Sequence, residues 1–204
     1  MLICVTNRLL CKDNFFNRIN EIAKGKPDAI ILREKDLFIS EYEKLAVKVK
    51  EICEKHQIQL IINQNIDIAA KLNLSCIHLS ISDLRKYQDK IGQFAQLGVS
   101  VHSVAEAAEA QELGASYLIA GHIFPTDCKK DLPPRGLSFL QEVCDSVRIP
   151  VFAIGGITKE RVKDVTNAGA KGICVMSQAM TCPNPVELMN SLLARLRCLH
   201  ANRH

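Results

Sequence analysis

No apolar run in this 204-residue chain approaches the roughly 20 residues that a membrane-spanning helix needs. The start, MLICVTNRLL, is apolar but brings in Asn7 and Arg8 early, without the charged lead and long apolar stretch of a secretion signal. There is no Cys-x-x-Cys, and the nine cysteines are scattered without metal-ligand spacing. That odd count, in a chain with no export signal, points to reduced thiols in the cytoplasm rather than to a disulfide framework. No basic run is interleaved with aromatics, so the net charge of +4 does not describe a nucleic-acid surface. The expectation is a soluble, cytoplasmic protein whose partner is a small molecule, neither nucleic acid nor membrane. Assembly into a homo-oligomer stays open, because it depends on exposed apolar patches that a sequence does not locate.

What is present is a repeated alternation. Short Ile- and Val-rich runs at 2–6, 28–33, 58–63, 75–79, 95–101, 116–121, 149–154 and 170–176 read as strands. Amphipathic segments at 13–24, 39–56, 65–73, 82–92, 103–113, 137–147, 158–168 and 184–199 read as helices. Near-continuous apolar strands are buried on both faces, which is the pattern of a parallel sheet with helical crossovers. Eight such units, with no Gly-x-Gly-x-x-Gly after the first strand, favour a closed barrel over an open doubly wound sheet. The fold class is therefore α/β, a single (β/α)8 TIM barrel covering residues 1–204 as one domain. Residues 122–136, HIFPTDCKKDLPPRG, form the one long irregular stretch, after strand six, on the face where barrels carry their chemistry.

Three places can hold an anion or move a proton. Ile154-Gly155-Gly156-Ile157-Thr158 follows strand seven, and Val175-Met176-Ser177 ends strand eight. Glycines let backbone approach a ligand, a helix start supplies N–H groups, and the loops after strands seven and eight are the recurrent phosphate site of this fold. Gly155, Gly156, Met176 and Ser177 are the expected grip. After strand six, His122 is placed to remove and return a proton near neutral pH. Thr126, Lys129 and Lys130 follow it, and Cys128 stands directly before the two lysines. After strand two, alternation puts Arg33 and Lys35 on one side and Glu34 on the other. Asn63, Asp83, Ser100 and His102 end strands three to five or follow them. The bland alternatives are a tight turn at Gly155-Gly156, a satisfied structural histidine at His122 and an internal Arg33–Glu34 pair.

The combination of LREK, VSVHS, GHIFPTDCKK, RG, IPVFAIGGIT and GAKGICVMS resembles the thiamine phosphate synthase superfamily over nearly the whole chain. GHIFPTDCKK…RGLSFL is most similar to its thiazole tautomerase (TenI-type) branch, which carries a histidine after the strand-six glycine. The resemblance implies an enzyme of thiamine biosynthesis. The synthase branch joins a pyrimidine diphosphate to thiazole phosphate with magnesium held by aspartates after strands three and four. Where that branch has its first metal aspartate this chain has Gln64, followed by Asn65, and the strand-two glutamine position is Ile31. Cys128 replaces the usual threonine before Lys129, while Asp83 is retained. A kept phosphate grip, an eroded metal site and an added histidine imply a thiazole tautomerase, an isomerase that needs no cofactor. In that reading His122 carries the proton, Gly156 and Ser177 hold the phosphate, and Arg33 and Lys129 bind the carboxylate. The alternatives are a thiamine phosphate synthase, which would require Mg²⁺, and a non-catalytic phosphate-binding relative.

Overall fold

Strand residues alternate between two apolar environments, one on each face of the sheet. Leu2 and Cys4 pack outward against helices, whereas Ile3 and Val5 pack inward with Ile31, Ile61, Ile119 and Phe152. Fully burying each such side chain contributes roughly 1.5–3 kcal/mol, so both faces of these strands have to be covered, here by the lumen packing on one side and by helices on the other. In the computed structural model, which describes residues 1–129 and 132–201, the strands are β1 (Leu2–Val5), β2 (Ala29–Leu32), β3 (Gln59–Asn63), β4 (Cys76–Ser80), β5 (Gln96–Val101), β6 (Tyr117–Gly121), β7 (Val151–Ile154) and β8 (Gly172–Val175). Each pairs in parallel with its successor, and β8 returns to β1 through Leu2↔Ile173, Ile3↔Cys174 and Cys4↔Val175. The barrel is closed, as expected.

The helices are α1 (Phe15–Lys24), α2 (Ile39–His56), α3 (Ile66–Lys71), α4 (Ile81–Lys86), α5 (Val104–Glu112), α6 (Gly136–Ser146), α7 (Val162–Asn167), α8 (Ser177–Thr181) and α9 (Pro185–Ala201). Asn14, Ser80 and Ser103 cap α1, α4 and α5 by accepting backbone N–H bonds, a device worth about 1 kcal/mol each. Three segments differ from the sequence reading. The stretch 82–92 is not one helix: α4 ends at Lys86, and a separate 3₁₀ turn covers Ile91–Gln93. Asp89 and Gly92 are poor helix formers, which accounts for the break. The helix after Gly155-Gly156 begins only at Val162. The short helix α8, directly after β8, was not anticipated; five residues are too few to show a helical period.

Because all strands run the same way, their C-terminal ends and following loops meet on one rim. No helix among the described residues is long and apolar enough to cross a membrane. All nine cysteines are free thiols: Cys4, Cys53, Cys76 and Cys174 are buried, and Cys128 and Cys198 are exposed.

Candidate active site

The rim encloses a cavity of about 1440 Å³. Arg33, Lys35, Asn63, Ser100, His122, Thr126, Lys129, Gly155, Gly156, Met176 and Ser177 all line it. The structure thus brings these eleven residues, singled out for substrate contact or catalysis, to one cavity, while Asp83 is not part of its wall. Lys130 lies outside the described residues.

The cations are held by a strap between β1 and β2. Thr6 Oγ1 donates to Glu34 Oε1 at 2.5 Å, and the backbone N–H groups of Arg8 and Arg33 donate to Glu34 Oε2 (2.8 Å) and Thr6 Oγ1 (3.0 Å). Burial pushes the Glu34 carboxyl upward, against these bonds. Glu34 therefore turns into the wall, toward Thr6 rather than into an Arg33 pair, while Arg33 and Lys35 face the cavity. Lys129 reaches the same region from the loop after β6. Its burial, then the nearby charges of Arg135, Arg33 and Lys35, hold its ammonium below the usual lysine range. Cations of one sign crowded on one side of the rim, Arg33 partly buried and Lys35 and Lys129 exposed, attract an anion.

The second anion-attracting feature lies after β7 and β8. Gly155 and Gly156 have φ of +99° and +63°. A Cβ on Gly156 would lie 2.5 Å from Pro125 O, and one on Gly155 would collide with His122. The glycines are thus needed to seat the β6 loop as well as to expose backbone. That loop is laced to the β7 end by Ile123 N–H to Ile154 O (2.9 Å) and Phe124 N–H to Gly155 O (3.1 Å). Arg161 was not foreseen: its Nη1 donates to Gly156 O at 2.7 Å, and its guanidinium lies 4.6 Å from the Phe124 ring centre. No local motif marks it, because both partners come from the tertiary fold. Beyond β8, α8 opens at Ser177, and the first turn of a helix leaves N–H groups without intrahelical partners. A short extra helix beside the loops of strands seven and eight is how this fold commonly receives a phosphate.

The histidines divide by role. His122 is buried, and its Nε2 lies 3.3 Å from Leu132 O, so the ring ties down the long loop. His102 Nδ1 is 2.8 Å from Gly121 O, at the end of β6. His78, missed because it reads as one more residue of an apolar strand, is buried with Nε2 2.8 Å from Ser100 Oγ. Burial, and then the charge of Arg33, lower its pKa to about 3, so its ring is neutral. Beside Asn63, the Gln64 amide and the Ser80 hydroxyl each donate to Asp83 Oδ2 at 2.5 Å. Burial pulls the Asp83 carboxyl up, but these bonds outweigh it and keep it below its ordinary range.

Similarity to known proteins narrows the chemistry. A family model described as thiamine monophosphate synthase matches residues 2–179. The thiamine-phosphate synthase of Methanobrevibacter smithii is 37% identical over 198 residues, covering 96% of this chain and 95% of that protein. That of Clostridium acetobutylicum is 39% identical over 179 residues, covering 86% and 85%. A solved thiamine phosphate pyrophosphorylase from Pyrococcus furiosus superposes with a TM-score of 0.86 at 28% identity, covering 97% and 96%. The expectation of a thiazole tautomerase, and with it an isomerase, is corrected by these relatives: they are named as synthases, which are transferases. Position explains the error. His122 follows Gly121 as a proton carrier would, yet in the fold its ring meets the Leu132 carbonyl.

Proposed function

The chain belongs to the thiamine monophosphate synthase family, and from that premise we propose that it is a transferase joining hydroxymethylpyrimidine diphosphate to thiazole phosphate. The observation that carries the reading is the presence of two anion-attracting regions in one cavity of about 1440 Å³. A single small phosphate ester would need one of them; a phosphate and a diphosphate need both. The volume exceeds the roughly 300–1,000 Å³ usual for one small ligand.

In this reading the thiazole phosphate is held at Gly155, Gly156, Met176 and Ser177, with Arg161 bracing the Gly156 carbonyl. Asn63 and Ser100 face the pyrimidine. The pyrimidine's methylene carbon loses its bond to the diphosphate oxygen, which leaves with the electron pair, and gains a bond to the thiazole nitrogen. No proton needs to be removed from that nitrogen. Arg33, Lys35, Thr126 and Lys129 gather round the diphosphate, and their charge matters most as the leaving group takes up negative charge.

The family resemblance brings magnesium with it. Among the described residues, no group of three or more His, Cys, Asp or Glu is placed to hold a metal ion. Asp83 with Asn63 and Gln64 nonetheless fits an ion shared with a diphosphate, since Mg²⁺ is commonly held by one or two carboxylates plus substrate phosphates. Bound there, magnesium would neutralise leaving-group charge. The protein's own share is to keep Asp83 ionised and aimed, through Gln64 and Ser80. Nine free thiols support a reducing compartment, the cytoplasm.

The test is to incubate the purified chain with both substrates, with and without Mg²⁺, and measure thiamine phosphate. Product is expected only with both substrates present and is expected to increase with Mg²⁺. Binding of both without product, at saturating Mg²⁺, would overturn the reading.

A further inference from the structure

Three lumen positions line up across three strands at the floor of the cavity, which His78 itself lines. His78 on β4 is in register with Gly98 on β5, and Gly98 with Tyr117 on β6. A Cβ on Gly98 would lie 2.5 Å from His78 Nδ1 and would overlap the Tyr117 ring. The absent side chain is what lets Tyr117 reach past β5, where its hydroxyl comes 3.3 Å from His78 Nδ1. On the other side of the imidazole, Nε2 is 2.8 Å from the hydroxyl of Ser100, the next inward-facing residue of β5 and part of the cavity wall.

The protons in this chain have one arrangement that strands no donor. Tyr117 is packed among Cys76, Ile119, Phe152 and Cys174, and among the described residues its hydroxyl has no polar partner but His78. A buried O–H without an acceptor is costly, so Tyr117 donates to Nδ1. The neutral imidazole has one ring proton; with Nδ1 accepting, that proton is on Nε2. It is donated to Ser100 Oγ, and the Ser100 O–H is left to point into the cavity. The opposite arrangement would turn Ser100 back toward Nε2 and leave the ligand only lone pairs.

We propose that Tyr117 and His78 are positioning residues that fix Ser100 as a hydrogen-bond donor, so that this corner selects a flat heteroaromatic ligand presenting an acceptor atom. The identity of that ligand as the pyrimidine diphosphate rests on the coupling reading; the polarity of the chain does not.

Two measurements test it. Long-range ¹H–¹⁵N spectra of the histidine-labelled protein report the tautomer of His78, assigned by the resonance that Ser100→Ala displaces. An Nε2–H tautomer is expected, and an Nδ1–H tautomer overturns the proposal without touching the coupling reading. Calorimetry then gives the Kd of hydroxymethylpyrimidine diphosphate for Ser100→Ala, His78→Leu and the double variant. Each single change is expected to weaken binding about tenfold, the loss of one hydrogen bond. In the double variant the His78 change should add nothing further, because it acts through Ser100. Independent, multiplying losses would make His78 merely structural and sink the idea. Tyr117→Phe replaces His78→Leu should the latter not fold, with the same absence of any added loss in the Ser100→Ala background. Binding and coupling between residues without turnover would instead refute the proposed reaction and leave the positioning chain standing.

Discussion

His78 ties stability to pH. Its folded pKa of about 3 lies below the ordinary imidazole value of 6.5, so the unfolded chain takes up a proton that the folded one refuses. Stability is complete above about pH 6.5 and falls as pH drops toward 3. Between pH 6.5 and 4.5 the loss is about 2–3 kcal/mol, before the depressed carboxylates such as Asp83 begin to contribute. Calorimetric Tm values across that window should fall in the wild type and fall much less in a folded His78→Gln variant. Lys129 is shifted in the same direction. Its depressed pKa means that the free protein tolerates its charge poorly. Lys129→Gln should therefore leave the free protein's Tm unchanged or slightly higher, while removing most of the Tm gain produced by added inorganic diphosphate. A variant that lost stability yet kept the full diphosphate response would contradict the anion site.

At the scale of elements, the loop after β6 and the turn after β7 behave as one unit. Gly156 and Gly114 both have positive φ, +63° and +91°. A Cβ on Gly114 meets nothing within 4 Å, whereas one on Gly156 meets Pro125 O at 2.5 Å. Gly114→Ala should cost only the left-handed backbone penalty, roughly 1–2 kcal/mol. Gly156→Ala should cost more and should also reduce coupling by at least about tenfold, because the β6 loop would shift from the grip. Denaturant midpoints and initial rates for the pair separate the two effects. His122 belongs to the same unit: its bond to Leu132 O fastens the far part of the loop, which is a structural use for a residue that looks catalytic by position.

For the whole molecule, the barrel rim is where ligand and fold exchange free energy. Thiazole phosphate that binds only the folded state, at a hundred times its Kd, should stabilise by about 2.7 kcal/mol. In a chain of this size that is a rise in Tm of roughly 5–10 °C. The rise should be smaller for Arg161→Gln, whose loss frees the Gly156 carbonyl and the Phe124 stack. Equal shifts for the two proteins in differential scanning fluorimetry would remove Arg161 from the grip.

The sequence alone determined the parts that depend on near neighbours. Apolar runs alternating with helical periods are enough to call for eight parallel strands, and eight such units without a Gly-x-Gly-x-x-Gly after the first strand favour closure over an open sheet. Gly155-Gly156 and Ser177 could be placed on a rim because a parallel barrel has only one rim of strand C-termini. Arg33, Lys35 and Lys129 were legible for the same reason. Tertiary structure decided whatever depends on register and packing between distant segments. It put Gly98 between His78 and Tyr117, Arg161 on the Gly156 carbonyl, and the His122 ring against the Leu132 carbonyl. It broke the 82–92 helix and added α8. The departures at Gln64 and His122 pointed to an isomerase, and the named relatives corrected this. Such side chains take their meaning from what faces them across the barrel, and strand registry, not sequence spacing, brings those partners within hydrogen-bond reach.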